Sequence, residues 1–151
     1  MKNVKLVLLG IIVAVAISCE KGEEEPSLTI DDFVGSWDAT SFLFTNKANA
    51  GETVDLIALG GELRFTMLDG GGVRTWFTLD TISDEWDSQA VLSGSSTLTL
   101  TPVEAERGVR SFEYVLDNNS LILTNSQDSF DFTLSDGPEV PAVSVSNFAR
   151  N

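Results

Sequence analysis

The 151-residue chain contains no histidine, one cysteine, and 9 lysine and arginine residues against 23 aspartate and glutamate residues. The missing histidine removes the side chain most used for general acid–base catalysis near neutral pH. A single cysteine excludes an intramolecular disulfide and a zinc site built from cysteine and histidine. The formal net charge of -14 argues against nucleic-acid binding, because phosphates attract lysine and arginine.

The N-terminal residues have the pattern of a targeting segment. Lys2 and Lys5 form a short cationic start, and residues 6–17 are an apolar run interrupted only by Gly10. These twelve residues would span about 18 Å as a helix, which is too short for a hydrocarbon core of about 30 Å. A charged start, a short apolar run and small residues after it are typical of a signal peptide.

The apolar run ends in Ala16-Ile17-Ser18-Cys19, which contains the only cysteine of the chain. This motif resembles the lipobox of bacterial lipoproteins, in which small residues precede the cysteine at the cleavage point. The resemblance implies that residues 1–18 are a lipoprotein signal peptide and that Cys19 carries lipid, such as palmitate, on its thiol. Cys19 is then a membrane anchor in the bacterial cell envelope and not a catalytic thiol. The alternative is a lone buried cysteine after a plain signal peptide or anchor helix.

Residues 19–27 are interpreted as the lipidated cysteine and an acidic tether. The stretch from Glu20 to Ser27 is too polar to bury, and its eight residues reach at most about 27 Å when extended. Acidic residues directly after a lipidated cysteine resemble export signals that send lipoproteins to the outer cell surface in some two-membraned bacteria. We therefore expect the protein to be anchored in the outer membrane. If the acidic residues act as an export signal, it is exposed at the cell surface. A solvated spacer is the alternative interpretation of the same residues.

Residues 28–151 predict a single all-β domain, preceded by a short helix at 29–35. Apolar residues recur at every second position, which is typical of strands with one buried face. Strands are predicted at 36–44, 61–68, 73–80, 86–92, 96–101, 109–116, 120–125, 128–134 and 142–149. The stretch near 53–58 is either a further strand or part of the second one.

Short turns rich in glycine, asparagine and aspartate separate these strands, so neighbours in sequence should pair as hairpins. An antiparallel up-and-down meander of about eight strands must cover its apolar face. Closure into a barrel covers that face and removes both sheet edges. A two-sheet sandwich is the alternative, although it usually needs longer crossovers.

The start of the predicted barrel resembles lipocalins, and more closely the small lipocalin-like lipoproteins of bacterial envelopes. Gly35-Ser36-Trp37 matches their Gly-x-Trp motif at the first strand, and the preceding helix and the long loop at 45–60 also match. The resemblance implies that Trp37 is buried at one end of the barrel and that the 45–60 loop lies over the mouth. Lipocalins usually cover this tryptophan with a late arginine, for which Arg150 is the only late candidate.

The interior of the predicted barrel is the candidate binding site. Six side chains on the apolar phases of their strands are expected to face inward: Leu63, Phe65, Met67, Phe77, Phe112 and Tyr114. An eight-strand interior is either filled by side chains or has room for one small ligand. Phenylalanines favour filling, whereas small Ser41, Ser88 and Ala90 leave space. We expect a modest apolar pocket near the 45–60 loop, with Tyr114 as its polar handle.

Two functions are compatible with the predicted lipid anchor and barrel. The first is a binding module for a small apolar ligand, as the resemblance to lipocalins implies. The second is a non-enzymatic interaction or scaffold protein with a solid barrel that contacts another envelope component.

No residue pattern favours an enzyme, a cofactor or a metal. Lys47 is the sole lysine beyond the tether and lies in a predicted loop, so it is a poor base for a serine nucleophile. Glu113 and Asp131 are expected outside the barrel and therefore unsuited to act as a carboxylate pair. The acidic cluster at 80–87 has no calcium-loop spacing and is interpreted as solvated. The glycines at 70–72 lack the helix and lysine of a phosphate loop and predict a turn.

Overall fold

The computed structural model describes residues 28–134 and 137–151, so the predicted signal peptide, Cys19 and the tether lie outside the described residues. Within that part, the only helical elements are 3-10 turns at Ile30–Phe33, Asp69–Gly71 and Ala105–Arg107. The strands are β1 (Gly35–Asn46), β2 (Thr53–Asp55), β3 (Glu62–Met67), β4 (Gly72–Leu79), β5 (Ile82–Ser93), β6 (Thr97–Pro102), β7 (Arg110–Asp117), β8 (Ser120–Phe130) and β9 (Val140–Arg150).

All pairings are antiparallel, and the sheet closes on itself. The strand order is β2-β1-β3-β4-β5-β6-β7-β8-β9, and β1 also pairs with β9. Eight strands therefore form a closed barrel, and β2 is an extra strand beside the second half of β1. The predicted barrel of about eight strands is confirmed, and the sandwich is wrong. The residues at 53–58 contribute only the short strand β2.

The predicted strands at 120–125 and 128–134 are wrong, because the structure has one strand, β8, across most of this region. The turn pattern between them forms a bulge instead. Asn125 is buried, and its side-chain oxygen accepts a hydrogen bond from the backbone N–H of Gln127 at 2.8 Å. The pairing of β8 with β9 shifts register at this point and then continues. A local turn motif has thus been absorbed into a longer strand.

The expected short helix at 29–35 is a single 3-10 turn, Ile30–Phe33. The Asp32 carboxylate caps it by accepting a hydrogen bond from the backbone N–H of Thr29 at 2.7 Å. One turn satisfies few backbone groups of its own, so its stability comes from packing and not from helix propensity.

Large side chains around this turn form a plug that closes one end of the barrel. Trp37 and Phe33 are both fully buried, and the indole N–H of Trp37 donates to the carbonyl oxygen of Phe33 at 2.8 Å. The Arg150 guanidinium lies 4.5 Å from the centroid of the Trp37 ring and donates to the carbonyl oxygen of Asp32 at 2.5 Å. The arginine expected to cover Trp37 is therefore present. Gly35 begins β1 with a φ of +133°, a conformation that favours glycine.

Inward-facing side chains form two clusters. The plug cluster contains the fully buried Met67, Leu98 and Leu121 together with Phe33 and Trp37. The mouth cluster, at the opposite end, consists of Phe44, Leu56 and Ala142 with partly buried neighbours that include Phe130. The rings of Phe44 and Phe130 stack with centroids 4.2 Å apart. Because Leu56 belongs to the loop at 45–60, this loop covers part of the mouth.

Replacing Trp37 by alanine should destabilise the protein by about 3–5 kcal/mol, the usual range for a fully buried aromatic side chain. The variant loses the ring contacts, the hydrogen bond to Phe33 and the surface beneath Arg150. Denaturant titration measures the loss. Trp76→Ala is the control, because Trp76 lies on the outer phase of β4 and is only partly buried. A loss for Trp37→Ala below roughly 1 kcal/mol would contradict the role of the plug.

Candidate binding cavity

A cavity of about 380 Å³ lies inside the barrel. Its lining includes Met67 and Phe65 from the plug cluster and Phe42 and Phe77 from the mouth cluster. Ligand sites in proteins typically have volumes of about 300–1,000 Å³ and mostly apolar walls. The interior of this barrel is therefore only partly filled by its own side chains.

Five of the six residues expected to face inward line the cavity: Leu63, Phe65, Met67, Phe77 and Phe112. They lie on the inward phases of β3, β4 and β7. Tyr114 also points inward, but it lies in the plug, where its ring meets the Phe33 ring edge-on with centroids 5.1 Å apart. Tyr114 is only 7% exposed, and the polar groups on the cavity wall come from other residues.

Hydroxyl groups supply part of that polar lining. Four buried residues place hydroxyl-bearing side chains on the cavity: Thr75, Ser88, Ser144 and Ser146. Ser88 is 4% exposed, and its Oγ has no hydrogen-bond partner within the described part of the chain. A buried polar atom without a partner costs about 1–3 kcal/mol. A bound molecule that paired with Ser88 would remove that cost.

Arg107 forms a charged section of the wall near the mouth. It lies in the 3-10 turn after β6 and reaches back to β5, where Nη1 and Nη2 donate to the Asp84 carboxylate at 2.7 and 2.8 Å. Its Nε donates to Glu104, and its guanidinium lies 5.0 Å from the centroid of the Trp86 ring. The hydrogen bonds from Arg107 lower the pKa of Asp84 below its ordinary value. The arginine is therefore fixed on several sides.

A second pair of opposite charges also lines the cavity. Nη1 of Arg110 lies 4.0 Å from Oδ2 of Asp128, and Asp128 follows the bulge in β8. The charged groups on the lining are thus Asp84, Asp128, Arg107 and Arg110, whose formal charges cancel. An apolar floor, a few hydroxyls and a balanced charged mouth suit the binding of a small molecule with little net charge.

The acidic cluster at 80–87 divides between the two faces of β5. Asp84 points inward to Arg107, whereas Asp87 and Glu85 pair with Arg74 on the outer face at 2.9 and 3.4 Å. Across residues 28–134 and 137–151, no group of three or more histidine, cysteine, aspartate or glutamate side chains is placed to hold a metal ion.

Sequence reasoning missed Asp84, Trp86 and Arg107 as lining residues. The predicted strand begins at 86, whereas β5 begins at Ile82, so Asp84 lies outside the predicted strand and Trp86 is its first residue. The pairing of Asp84 with Phe77 and of Trp86 with Thr75 puts both on that phase. Extending the alternation backwards from Ala90 would have found them. Arg107 lies in a loop and carries no such pattern.

No protein-family model matches the chain, and no curated protein matches it either. No helix among the described residues has the length and apolar character needed to cross a membrane.

The Asp84–Arg107 pair should make stability depend on pH. The pKa of Asp84 is depressed in the folded state, so its contribution is present above the unfolded value of about 3.9 and is lost as the pH falls through the lower folded value. We expect wild-type protein to be more stable than Asp84→Asn near neutral pH, with the difference closing below about pH 4. Urea titrations across this pH range measure the difference.

Asp87→Asn is the matched control, because its partner Arg74 is 62% exposed, against 30% for Arg107. Solvent screens the Asp87–Arg74 pair more strongly, so its loss should alter stability less. A difference between wild type and Asp84→Asn that stayed constant down to about pH 2 would rule out the ion pair as its origin.

Proposed function

We propose that this protein is a lipid-anchored lipoprotein of the bacterial cell envelope whose lipocalin-like barrel binds one small, mostly apolar molecule. The observation that carries the binding role is the partly filled interior, a cavity of about 380 Å³ inside a closed barrel. The resemblance of Gly35 and Trp37 to the Gly-x-Trp motif supports the same class of protein. The plug around Trp37 closes one end, which leaves the mouth as the entrance.

The volume limits the size of the ligand. A cavity of about 150 Å³ holds benzene, which has six non-hydrogen atoms. By proportion, the 380 Å³ cavity suits a molecule of roughly 15 non-hydrogen atoms. The ligand is therefore closer in size to two or three fused rings than to a membrane lipid.

The proposal contains no catalytic step. The ionisable groups on the lining are Asp84, Asp128, Arg107 and Arg110, and they pair with one another. Ion pairs of this kind hold the side chains of the cavity lining in place. Acid–base catalysis instead needs a group whose pKa lies near the working pH.

The anchor in this proposal is Cys19, supported by the lipobox-like residues 16–19 and by the apolar run before them. One acyl chain binds a membrane only marginally, whereas two or more hold firmly. We place the protein in the outer membrane. The acidic residues after Cys19 support exposure at the cell surface.

A second candidate function, contact with another envelope protein, has its own supporting observation. Three loops at the mouth end and the start of β5 expose aliphatic side chains, between 51% and 77% exposed: Leu59, Ile82, Val103, Val109 and Leu134. Single exposed aliphatic residues are common, but several at one end favour a contact surface. The cavity weighs against the solid barrel in that proposal, so ligand binding is preferred.

Lipidation predicts that Cys19→Ala protein will remain unprocessed or become soluble, because the variant lacks the thiol that accepts the lipid. Metabolic labelling with a fatty acid, followed by fractionation of membranes, measures both effects. Ser18→Ala is the control, since it keeps a small residue before the cysteine and should still be labelled. Incorporation of label into Cys19→Ala would show that the lipid is attached elsewhere.

Reducing the free volume of the cavity should weaken binding. Phe112→Trp adds volume on the cavity wall, and we expect it to weaken binding of the apolar fluorescent probe N-phenyl-1-naphthylamine at least tenfold, because the larger ring occupies space that the probe needs and the packed residues around the cavity cannot easily move aside. The titration uses full-chain protein in lipid vesicles, with protein-free vesicles as the blank. Val115→Trp is the control, since Val115 lies on the outer face of the same strand and is 64% exposed. Equal binding by Phe112→Trp and wild type would place the probe outside the barrel.

A further inference from the structure

We infer that the ligand of this cavity is a neutral ring compound carrying a carbonyl oxygen, and that this oxygen accepts a hydrogen bond from Ser88. The inference rests on the proposed binding function and names the chemical class that the cavity selects. Three features of the lining support it: an unpartnered hydroxyl, a balanced set of charges, and walls that include several aromatic rings.

The hydroxyl of Ser88 is the polar group that the barrel leaves for a ligand. Ser88 is 4% exposed and lines the cavity, and its Oγ has no partner within the described residues. Its neighbours across the sheet are Val73 on β4 and Pro102 on β6, which have no polar side-chain atom to offer. A serine hydroxyl can donate one hydrogen bond, so a ligand acceptor beside it meets a donor that is already desolvated.

The charges on the lining favour a neutral molecule over an anion. Arg107 is already held by Asp84 and Glu104, so it has little capacity for a ligand carboxylate. Arg110 is 54% exposed and lies beside Asp128, whose negative charge would oppose an incoming anion. A fatty-acid carboxylate would therefore have to compete with Asp84 and Glu104 for Arg107, or with Asp128 for Arg110. A carbonyl compound has no such requirement.

The shape of the lining favours rings over a flexible chain. Aromatic side chains from six of the eight barrel strands line the cavity: Phe42, Phe65, Phe77, Trp86, Phe112 and Phe148. Aromatic pairs prefer offset or edge-to-face contacts, which a flat ligand makes with several of these rings at once. A rigid ring system also loses less conformational entropy on binding than an alkyl chain of equal size.

The test uses three competitors of nearly equal size: 2-propionylnaphthalene, 2-propylnaphthalene and dodecanoate. Each displaces the neutral fluorescent ketone prodan from full-chain protein in lipid vesicles. Energy transfer from protein tryptophan to prodan reports bound dye, because Trp86 lies on the cavity wall. The transfer that remains at a saturating concentration of competitor comes from dye dissolved in lipid and is subtracted. Protein-free vesicles give the blank. We expect the ketone to compete about tenfold better than the hydrocarbon, and dodecanoate to compete least.

Variants then assign the difference to Ser88. Prodan is itself a ketone, so its affinity is measured first for each variant, and Ser88→Ala should weaken it too. After correction for that affinity, Ser88→Ala should raise the inhibition constant of the ketone competitor about tenfold and leave that of the hydrocarbon unchanged. Its unfolding midpoint should not fall, because the hydroxyl makes no hydrogen bond within the described protein. Ser111→Ala is the matched control, since its hydroxyl lies on the outer face of β7 within 3.1 Å of the Thr99 hydroxyl. This control should leave all three competitors unaffected.

The possible failures are distinguishable. Equal competition by ketone and hydrocarbon, unaltered in Ser88→Ala, would overturn the carbonyl class while leaving the proposed binding function intact. Dodecanoate as the best competitor, with its advantage lost in Arg110→Gln, would overturn the neutral class. Absence of tryptophan-sensitised prodan emission in wild type and in every variant would remove the proposed binding function itself.

Discussion

The pairing of β1 with β9 is the constraint on which the rest of the molecule depends. It joins the two ends of the described chain from Trp37 opposite Arg150 to Asn46 opposite Ala142. Without it the sheet would have two open edges and an apolar face exposed to water. Because the paired residues are between 96 and 113 positions apart in sequence, closure is the costliest contact in chain entropy. The Arg150–Trp37 contact lies at its first pair and secures it.

Inward-facing positions carry large side chains at the plug and several small side chains along the cavity wall. At the plug, large side chains such as Trp37 and Met67 face one another and leave no exposed surface. Farther from the plug, the small side chains of Ser88 and Ser144 occupy inward positions on the cavity wall. A barrel of eight strands has an interior just wide enough to be filled by side chains, so a few small residues decide whether it is solid. The cavity therefore depends on which side chains occupy a few inward positions, whereas the closed barrel around it is set by the strand pairing.

Alternation predicted the barrel because each strand keeps one apolar phase, as Leu63, Phe65 and Met67 do on β3. The same pattern does not predict how far along the barrel axis each inward-facing residue lies, because that position depends on the register between strands. Tyr114 shows the consequence, since it points inward as predicted but lies in the plug. The contact between Arg107 and Asp84 joins a loop to a strand 23 residues away. No local period encodes such a contact, so the charged wall could only be seen in three dimensions.

The position where the chain enters the barrel bears on where a ligand comes from. Leu28 leads directly into the 3-10 turn of the plug, so the predicted tether starts at the end opposite the mouth. The eleven residues of β9, tilted by about 40°, give the barrel a height of roughly 29 Å. The tether reaches at most about 27 Å and only when fully extended, so a less extended tether holds the plug end nearer to the anchor than the mouth. With lipid on Cys19, as proposed, the plug end lies nearer the membrane than the mouth does. A ligand then arrives through water, which suits a small neutral ketone better than a membrane lipid.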